Sequence, residues 1–263
     1  MVEGIDFMGV PLTDMELQRL AKDIAKQDGL RWLGLAQTQI TDQGLEHVRG
    51  LARLRGLSLG WTKVTDAGLA ELSGLTGLEE LQLNATSVSD AGLAHLKKLT
   101  RLRGLGLCGT RISDDGLLHL KALANLESLD LDRSHITDAG LAHLAGMPNL
   151  KVLSLARTRV IGAGLEHLKR LDKLEELYLD GTQVTDAALG HLQALDNLHS
   201  LRLNETCIGD TGIEHLGQLV GLRYVTLRGT KVTGQGLRKL QCSLPQCNIS
   251  PAVHEVHSDK VHD

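Results

Sequence analysis

Seven histidines recur at multiples of 24 residues, and imidazole is both a common metal ligand and a group that titrates near neutral pH. They are His47, His95, His119, His143, His167, His191 and His215. This spacing is compatible with a ladder of metal sites, with a pH sensor, or with a packing position that every repeat shares. The elements that carry the histidines decide among these three hypotheses.

Each histidine lies in a 24-residue repeat that opens L-x-x-L-x-L-x-x-T, as in LEELQLNAT (78–86), and continues x-[VI]-[TS]-D-x-G-L-x-H-L-x-x-L. The L-x-L alternation predicts a short strand with its leucines inward, and the Gly-Leu-x-x-Leu half predicts a short helix. One repeat cannot bury its own leucines, whereas stacked repeats can. Nine opening leucines keep the spacing without insertion: Leu30, Leu54, Leu78, Leu102, Leu126, Leu150, Leu174, Leu198 and Leu222.

Three polar positions of the repeat have separate predicted roles. A Thr, or Ser134 in one repeat, follows the strand, where its hydroxyl can bond backbone groups that the turn leaves unpaired. The [TS]-D pair is predicted to cap the helix, with the Asp favoured by the helix dipole. The following Gly, replaced by Ala188 in one repeat, is predicted to allow close approach of neighbouring helices.

Both ends of the chain depart from the repeat. At the start, Ile5 and Phe7 occupy leucine places, and Thr13 and Glu16 have the spacing of a capping box. We therefore predict an N-terminal capping repeat at 1–29, an array of about nine units at 30–241, a C-terminal cap at 242–250 and a disordered tail at 251–263.

The repeat resembles the leucine-rich repeat family, with Thr where that family usually has Asn or Cys. Its second half is similar to the ribonuclease-inhibitor-like and cysteine-containing subclasses, and its Thr-bearing 24-residue form is similar to bacterial repeats of planctomycete type. The resemblance covers nearly the whole chain. It implies an α/β fold: a right-handed solenoid, or horseshoe, with a concave parallel β-sheet and convex short helices.

The histidines fall on the flank of the predicted helix, as at His95 between Leu93 and Leu96. Neighbouring helices are about 8–10 Å apart, whereas zinc requires nitrogen ligands at about 2.0–2.1 Å. Glu71 and Lys239 replace the histidine in other repeats, so the position accepts several polar groups. We therefore favour flank packing and predict no metal site.

Other candidate sites are weak. GLGLCG (104–109) matches G-x-G-x-x-G, but its glycines fall on a predicted strand rather than on the strand-to-helix turn that a dinucleotide requires, so no cofactor is predicted. Cys242 and Cys247 are either a capping disulfide or two separate thiols. We find no nucleophile with a base and no P-loop, and we predict that the protein is not an enzyme.

Composition restricts the partners. The 263 residues carry a net charge of −4, which gives no reason to expect binding to nucleic acid or to an anionic membrane. No apolar run approaches the roughly 18–20 residues of a membrane span, and the opening MVEGIDFMGV lacks the pattern of a signal peptide. We expect a cytoplasmic monomer that binds a protein.

Function is predicted where the repeats differ, at the outward third, fifth and seventh positions of each unit. The early units have mainly Gly, Ser and Ala there, a nearly bare surface beside Trp32 and Trp61 that would admit a partner closely. Later units carry the aromatic and arginine side chains that anchor interfaces. The predicted partner-binding residues are Trp32, Glu80, Gln82, Asn84, Asp130, Asp132, Glu176, Tyr178, Asp180, Arg202, Asn204, Tyr224 and Arg228.

These positions predict a non-catalytic protein–protein interaction module that binds its partner on the concave face. The alternative is the substrate-recognition part of a ubiquitin-ligase-like adaptor, or of a bacterial effector, whose effector domain lies outside this chain.

Overall fold

A computed structural model describes residues 3–251, and the chain divides between His135 and Ile136 into two compact units, here unit 1 and unit 2. The predicted tail lies outside the described residues from position 252 onward. No helix in the described range is long and apolar enough to cross a membrane.

Unit 1 contains six parallel strands that are neighbours in chain order. They are β1 (Gly4–Asp6), β2 (Trp32–Gly34), β3 (Gly56–Ser58), β4 (Glu80–Gln82), β5 (Gly104–Gly106) and β6 (Ser128–Asp130). Its α-helices are α1 (Asp14–Ala25), α2 (Asp42–Leu45), α3 (Asp66–Glu71), α4 (Asp90–Leu93) and α5 (Asp114–Leu117). Short 3-10 helices extend the last three at Leu72–Gly74, Ala94–Lys98 and Leu118–Ala122.

Unit 2 repeats this arrangement with parallel strands, again neighbours in chain order. They are β7 (Val152–Ser154), β8 (Glu176–Tyr178), β9 (Ser200–Arg202), β10 (Tyr224–Thr226) and β11 (Asn248–Ser250). Its α-helices are α6 (Asp138–Leu141), α7 (Gly212–Leu216) and α8 (Gly234–Ser243), and its 3-10 helices are Ala142–Gly146, Ala163–Arg170 and Asp186–Ala194.

The predicted α/β solenoid is confirmed within each unit. Strand leucines such as Leu57 and Leu81 and helix leucines such as Leu69 and Leu93 are fully buried between the sheet and the helices. The helical side is tighter than predicted, because one α-helical turn usually passes into a 3-10 helix. A 3-10 helix rises about 2.0 Å per residue against about 1.5 Å for an α-helix, so it spans the repeat with fewer residues.

The Thr that follows each strand has its predicted role. The hydroxyl of Thr86 donates to the carbonyl oxygen of Leu83 at 2.7 Å, and Ser134 does the same to Leu131 at 2.6 Å. Both side chains are buried. The backbone N–H of Thr86 also donates to the Leu83 carbonyl oxygen, at 3.3 Å, so the hydroxyl gives this buried oxygen a second, shorter hydrogen bond and is itself paired.

The Asp of the [TS]-D pair does more than was predicted, because it joins consecutive repeats. One carboxylate oxygen of Asp66 accepts from the backbone N–H of Ser89 at 2.7 Å and the other from the Ser89 hydroxyl at 2.5 Å. We call this two-bond contact the aspartate staple. The same pairs in unit 1 are Asp14–Thr41, Asp42–Thr65 and Asp90–Ser113, and in unit 2 Asp210–Thr233.

The staple explains the glycine of the repeat. A Cβ placed on Gly92 would lie 2.4 Å from a carboxylate oxygen of Asp66, and Gly68 stands in the same relation to Asp42. A close approach was predicted at this glycine between neighbouring helices, whereas the group that approaches most closely is the stapling carboxylate of the preceding repeat.

Two consecutive repeats of unit 2 are exceptions, one to the stapling Asp and the next to the Gly. Gly162 occupies the Asp position with a φ of +123°, and Ala188 occupies the Gly position of the next repeat. A Cβ on Gly162 would lie 2.3 Å from the Cβ of Ala188. The methyl group of Ala188 is tolerated because no carboxylate comes from the repeat before it.

We expect the two positions to be coupled. Gly162→Asp alone should lower the free energy of unfolding by about 2 kcal/mol, because the new side chain meets Ala188 on a strained backbone. Adding Ala188→Gly should recover the part of that loss that comes from the contact with Ala188, by opening the place that a stapling carboxylate needs, with the N-cap residue Thr185 as the expected partner. Urea denaturation of both single variants and the double variant measures the coupling. Strict additivity would contradict the pairing rule.

Candidate functional site

The predicted binding residues point outward from the strands or from the residues just after them, a surface we call the strand face. Each unit has its own strand face. Parallel pairing aligns equivalent positions, so that Trp32 is beside Gly56, and Glu80 lies between Gly56 and Gly104. In unit 2, Glu176, Ser200 and Tyr224 are aligned in the same way.

The prediction that the early repeats are nearly bare is wrong. Gly34, Gly56, Gly104 and Gly106 are buried, because the side chain of the preceding strand leans over each of them. A Cβ on Gly56 would lie 2.1 Å from the ring of Trp32, and one on Gly104 would lie 1.8 Å from the Glu80 carboxylate. The glycines therefore make room for a layer of larger side chains, and a partner would contact that layer.

Three of the predicted partner-binding residues form hydrogen bonds within the sheet. The Asn84 side-chain oxygen accepts from the backbone N–H of Cys108 at 2.9 Å, and that of Asn204 accepts from Arg228 at 2.9 Å. A carboxylate oxygen of Asp180 accepts from both the backbone and the side chain of Asn204, at 3.0 and 2.7 Å. These hydrogen bonds connect neighbouring repeats just beyond the ends of the short strands. Fewer polar atoms of the three side chains therefore remain for a partner.

Unit 2 brings four predicted residues together. Arg202 pairs with Asp180 through its Nε at 2.7 Å, and its guanidinium lies 5.2 Å from the centre of the Tyr178 ring. The Tyr178 hydroxyl donates to Glu176. Burial and this hydrogen bond raise the pKa of Tyr178 to about 12, so the phenol remains a donor at neutral pH. We call these residues the Arg202 cluster.

The Arg202 cluster remains available to a partner. The Arg202 side chain is 50% exposed while its Asp180 partner is 15% exposed. The guanidinium is therefore held by Asp180 on its buried side and is accessible to a partner on its solvent side. Tyr224, the first residue of β10, is 57% exposed, and Arg228, two residues after that strand, is also exposed. An aromatic ring and arginines with fixed positions are the features that anchor protein interfaces.

Unit 1 brings a different set together. Trp32 is 37% exposed and Glu80 is exposed, while Gln82 lies half-buried over Gly106. Asp130 and Asp132 follow, with the Asp130 carboxylate accepting from the Asp132 backbone N–H at 3.0 Å.

The sequence analysis missed Cys108 as part of this group. Its sulfur and one oxygen each from Asp130 and Asp132 all lie within 4.8 Å of one another. Burial raises the pKa of the Cys108 thiol, and the two carboxylates raise it further, so the sulfur is a protonated and poor nucleophile. The sequence could have indicated this group, because parallel stacking aligns the seventh position of adjacent repeats, which is Cys108 in one repeat and Asp132 in the next.

The histidines lie on the helical side. His95, His119 and His191 are exposed, and the other four are half-buried. His215 packs over Gly190 of the preceding repeat, with ring atoms 3.6 Å from where a glycine Cβ would be. Among residues 3–251, the Cys108 group is the only place where three possible metal-ligand atoms of His, Cys, Asp or Glu side chains lie within 4.8 Å of one another. The contact of His215 with Gly190 is of the kind that the packing hypothesis predicts, and for the other six histidines packing stays a prediction.

The two C-terminal cysteines lie in different environments. Cys242 is exposed on α8, and Cys247 is buried before β11, both as free thiols. Of the two alternatives left open by the sequence, the structure has the separate thiols.

Comparison with known proteins agrees with this geometry. Two profiles described as leucine rich repeat match residues 124–184 and 194–217. Internalin C2 from Listeria monocytogenes is 30% identical, with a TM-score of 0.63 over 82% of this chain and 84% of that one. An internalin, InlF, from the same organism is 23% identical over 94% of this chain and 86% of its own, with a TM-score of 0.46.

No curated protein matches the sequence significantly. By contrast, 514 chains of solved structures match it, so the fold is common and does not by itself specify a function.

Proposed function

Since the chain belongs to the leucine-rich repeat family, whose members are generally protein-interaction modules, we propose that it is a non-catalytic module that binds a partner protein on its strand faces. The observation that carries the proposal is the Arg202 cluster. Its side chains are fixed before any partner arrives and are open on one side.

Preorganisation supports binding because it lowers the cost of association. Ordering a long side chain at an interface costs about 0.5–1.5 kcal/mol, and Arg202 is already held by Asp180 and the Tyr178 ring. A partner carboxylate could approach the exposed part of the guanidinium and form a charge-assisted hydrogen bond. The short, paired strands beneath leave little to rearrange.

The absence of catalysis and the class of partner rest on further observations. The protonated Cys108 thiol is a weak nucleophile, and the chain has a net charge of −4. The net charge disfavours nucleic acid and anionic lipid as partners.

We expect the double variant Tyr178→Ala/Arg202→Ala to bind its protein partner at least about tenfold more weakly, as is typical when anchoring side chains are truncated. The measurement is a quantitative pull-down, followed by titration of any partner that is recovered. Glu166→Ala/Lys169→Ala, which changes exposed side chains on the helical side of the same unit, is the matched control. Equal recovery by wild type and the strand-face variant would contradict this proposal.

A further inference from the structure

The strand face of unit 1 is acidic. The outward positions of β1–β6 and the residues just after them contain four carboxylates, Asp6, Glu80, Asp130 and Asp132, and no lysine or arginine. The strand face of unit 2 has arginines among its carboxylates, and Arg202 pairs directly with Asp180. The two units therefore offer different chemistry.

Cationic side chains border the unit 1 strand face at its edges. Arg103, before β5, is engaged by Glu127 through its Nε at 2.6 Å. Arg133 follows β6 on a turn with a φ of +55° and is exposed, and Lys63 and Arg111 are exposed beyond the turns of their repeats. The outward strand positions between these edges carry carboxylates and no cationic side chain.

Two of these carboxylates are poorly stabilised as anions. Burial raises the pKa of Glu80, with Arg103 opposing and Glu127 and Glu79 adding to the effect. Burial also raises the pKa of Asp130, while the hydrogen bond from the Asp132 backbone lowers it and the Asp132 charge raises it. A cationic side chain placed alongside would stabilise both ionised forms, since opposite charges at close range favour the charged state.

Trp32 adds a second group that attracts cations. Its ring covers Gly56, and part of it remains exposed. An indole attracts ammonium and guanidinium groups more strongly than other aromatic side chains do. Trp32 on β2 and Glu80 on β4 are in register two strands apart, and strands are about 4.8 Å apart, so these groups are separated by about 10 Å. Asp130 on β6 lies two strands further and two residues further along its strand, about 12 Å from Glu80.

A chain in the extended polyproline II conformation rises about 3.1 Å per residue with three residues per turn, so every third side chain returns to the same side at about 9 Å. We propose that the unit 1 strand face binds an extended basic segment of a partner protein, with Lys or Arg side chains three residues apart reaching Trp32, Glu80 and Asp130. This inference rests on the proposed function, because it names the chemistry of a partner for one of the two strand faces.

The test uses the full chain and a fluorescein-labelled peptide, (Lys-Gly-Gly) repeated three times, followed by fluorescence anisotropy. We expect Glu80→Gln/Asp130→Asn to weaken binding about fivefold, which is the size expected from losing two ion pairs that stay in contact with solvent. Trp32→Ala should weaken it by a similar factor. Binding should also weaken as NaCl rises from about 50 to about 300 mM.

The matched control is Glu46→Gln/Asp115→Asn, which removes the same charge from exposed helical positions of unit 1. Equal weakening by this control, or no change in the Glu80→Gln/Asp130→Asn variant, would overturn the inference in favour of diffuse attraction by net charge. Neutralising Glu80 and Asp130 removes carboxylates whose burial disfavours their charge, so the unfolding midpoint should not fall. An equal midpoint separates lost binding from lost structure.

A zinc titration addresses the other possible occupant, since Cys108, Asp130 and Asp132 offer three ligand atoms. Stoichiometric Zn²⁺ uptake that displaces the peptide and is abolished by Cys108→Ser would assign the site to a metal and overturn the inference. If the peptide does not bind but the Tyr178→Ala/Arg202→Ala variant loses its partner, this inference is wrong and the proposed function is still supported.

Discussion

Replacing Asp66 with alanine is expected to lower the free energy of unfolding by about 3 kcal/mol. The carboxylate accepts two hydrogen bonds from Ser89, at 2.7 and 2.5 Å, and hydrogen bonds to charged groups contribute about 1.5–3 kcal/mol each. Removal also leaves the Ser89 N–H without its partner. The midpoint and slope of urea unfolding measure the loss.

Asp115→Ala is the matched control, because Asp115 is an exposed carboxylate in the first turn of α5. It interacts with the helix dipole, which is worth about 0.3–1 kcal/mol at the surface. If the two alanine variants lost equal stability, the Asp of the repeat would be acting only on its own helix. Asp66→Asn should fall between them, because an amide keeps one acceptor oxygen and loses the charge.

The second large effect is expected from Gly92→Ala. The added methyl group would lie 2.4 Å from a carboxylate oxygen of Asp66, so the staple must move or break. We expect a loss of about 2 kcal/mol, although alanine is intrinsically the better helix former. Thermal and urea unfolding of the purified variant would both report it.

Gly74→Ala supplies the opposite expectation. A Cβ there meets no atom within 4 Å, and the residue lies in a 3-10 helix, so the substitution should be neutral or stabilise by up to about 1 kcal/mol. A loss at Gly74 as large as at Gly92 would mean that backbone flexibility, rather than the carboxylate, requires glycine in the repeat.

The sequence was sufficient to predict the solenoid because a single rule repeats. Leucines at fixed places determine which side chains are buried in every unit, and the parallel pairing of Leu57 with Leu81 follows from that rule. The capping box of Thr13 and Glu16 was predictable for a similar reason, since both residues lie within one helical turn.

The staple was not predicted because its two halves are 23 residues apart in sequence. Periodicity within one repeat showed that Asp66 and Ser89 occupy fixed positions, but only the stacking distance brings the carboxylate of one to the hydroxyl of the other. The glycine was interpreted through helix packing, although the group it accommodates belongs to a side chain of the preceding repeat.

The candidate site was predictable in composition and less so in arrangement. Alternation along a strand identified Tyr178 and Arg202 as outward residues, and their contact follows from being neighbours on adjacent strands. The lean of Trp32 over Gly56 depends on side-chain rotamers, which sequence patterns do not specify. For that reason the glycine positions were mistaken for open surface.

The aspartate staple also bears on how such a chain can change its length by recombination. Within unit 1, a 24-residue block such as 65–88 gives a carboxylate, that of Asp66, to the block that follows and receives one, that of Asp42, from the block before it. Duplicating or removing one block therefore recreates the same junction on both sides. Gly162 and Ala188 form a junction of another type, so a crossover that separates them would join an aspartate to an alanine, and inheritance of this pair has to be joint.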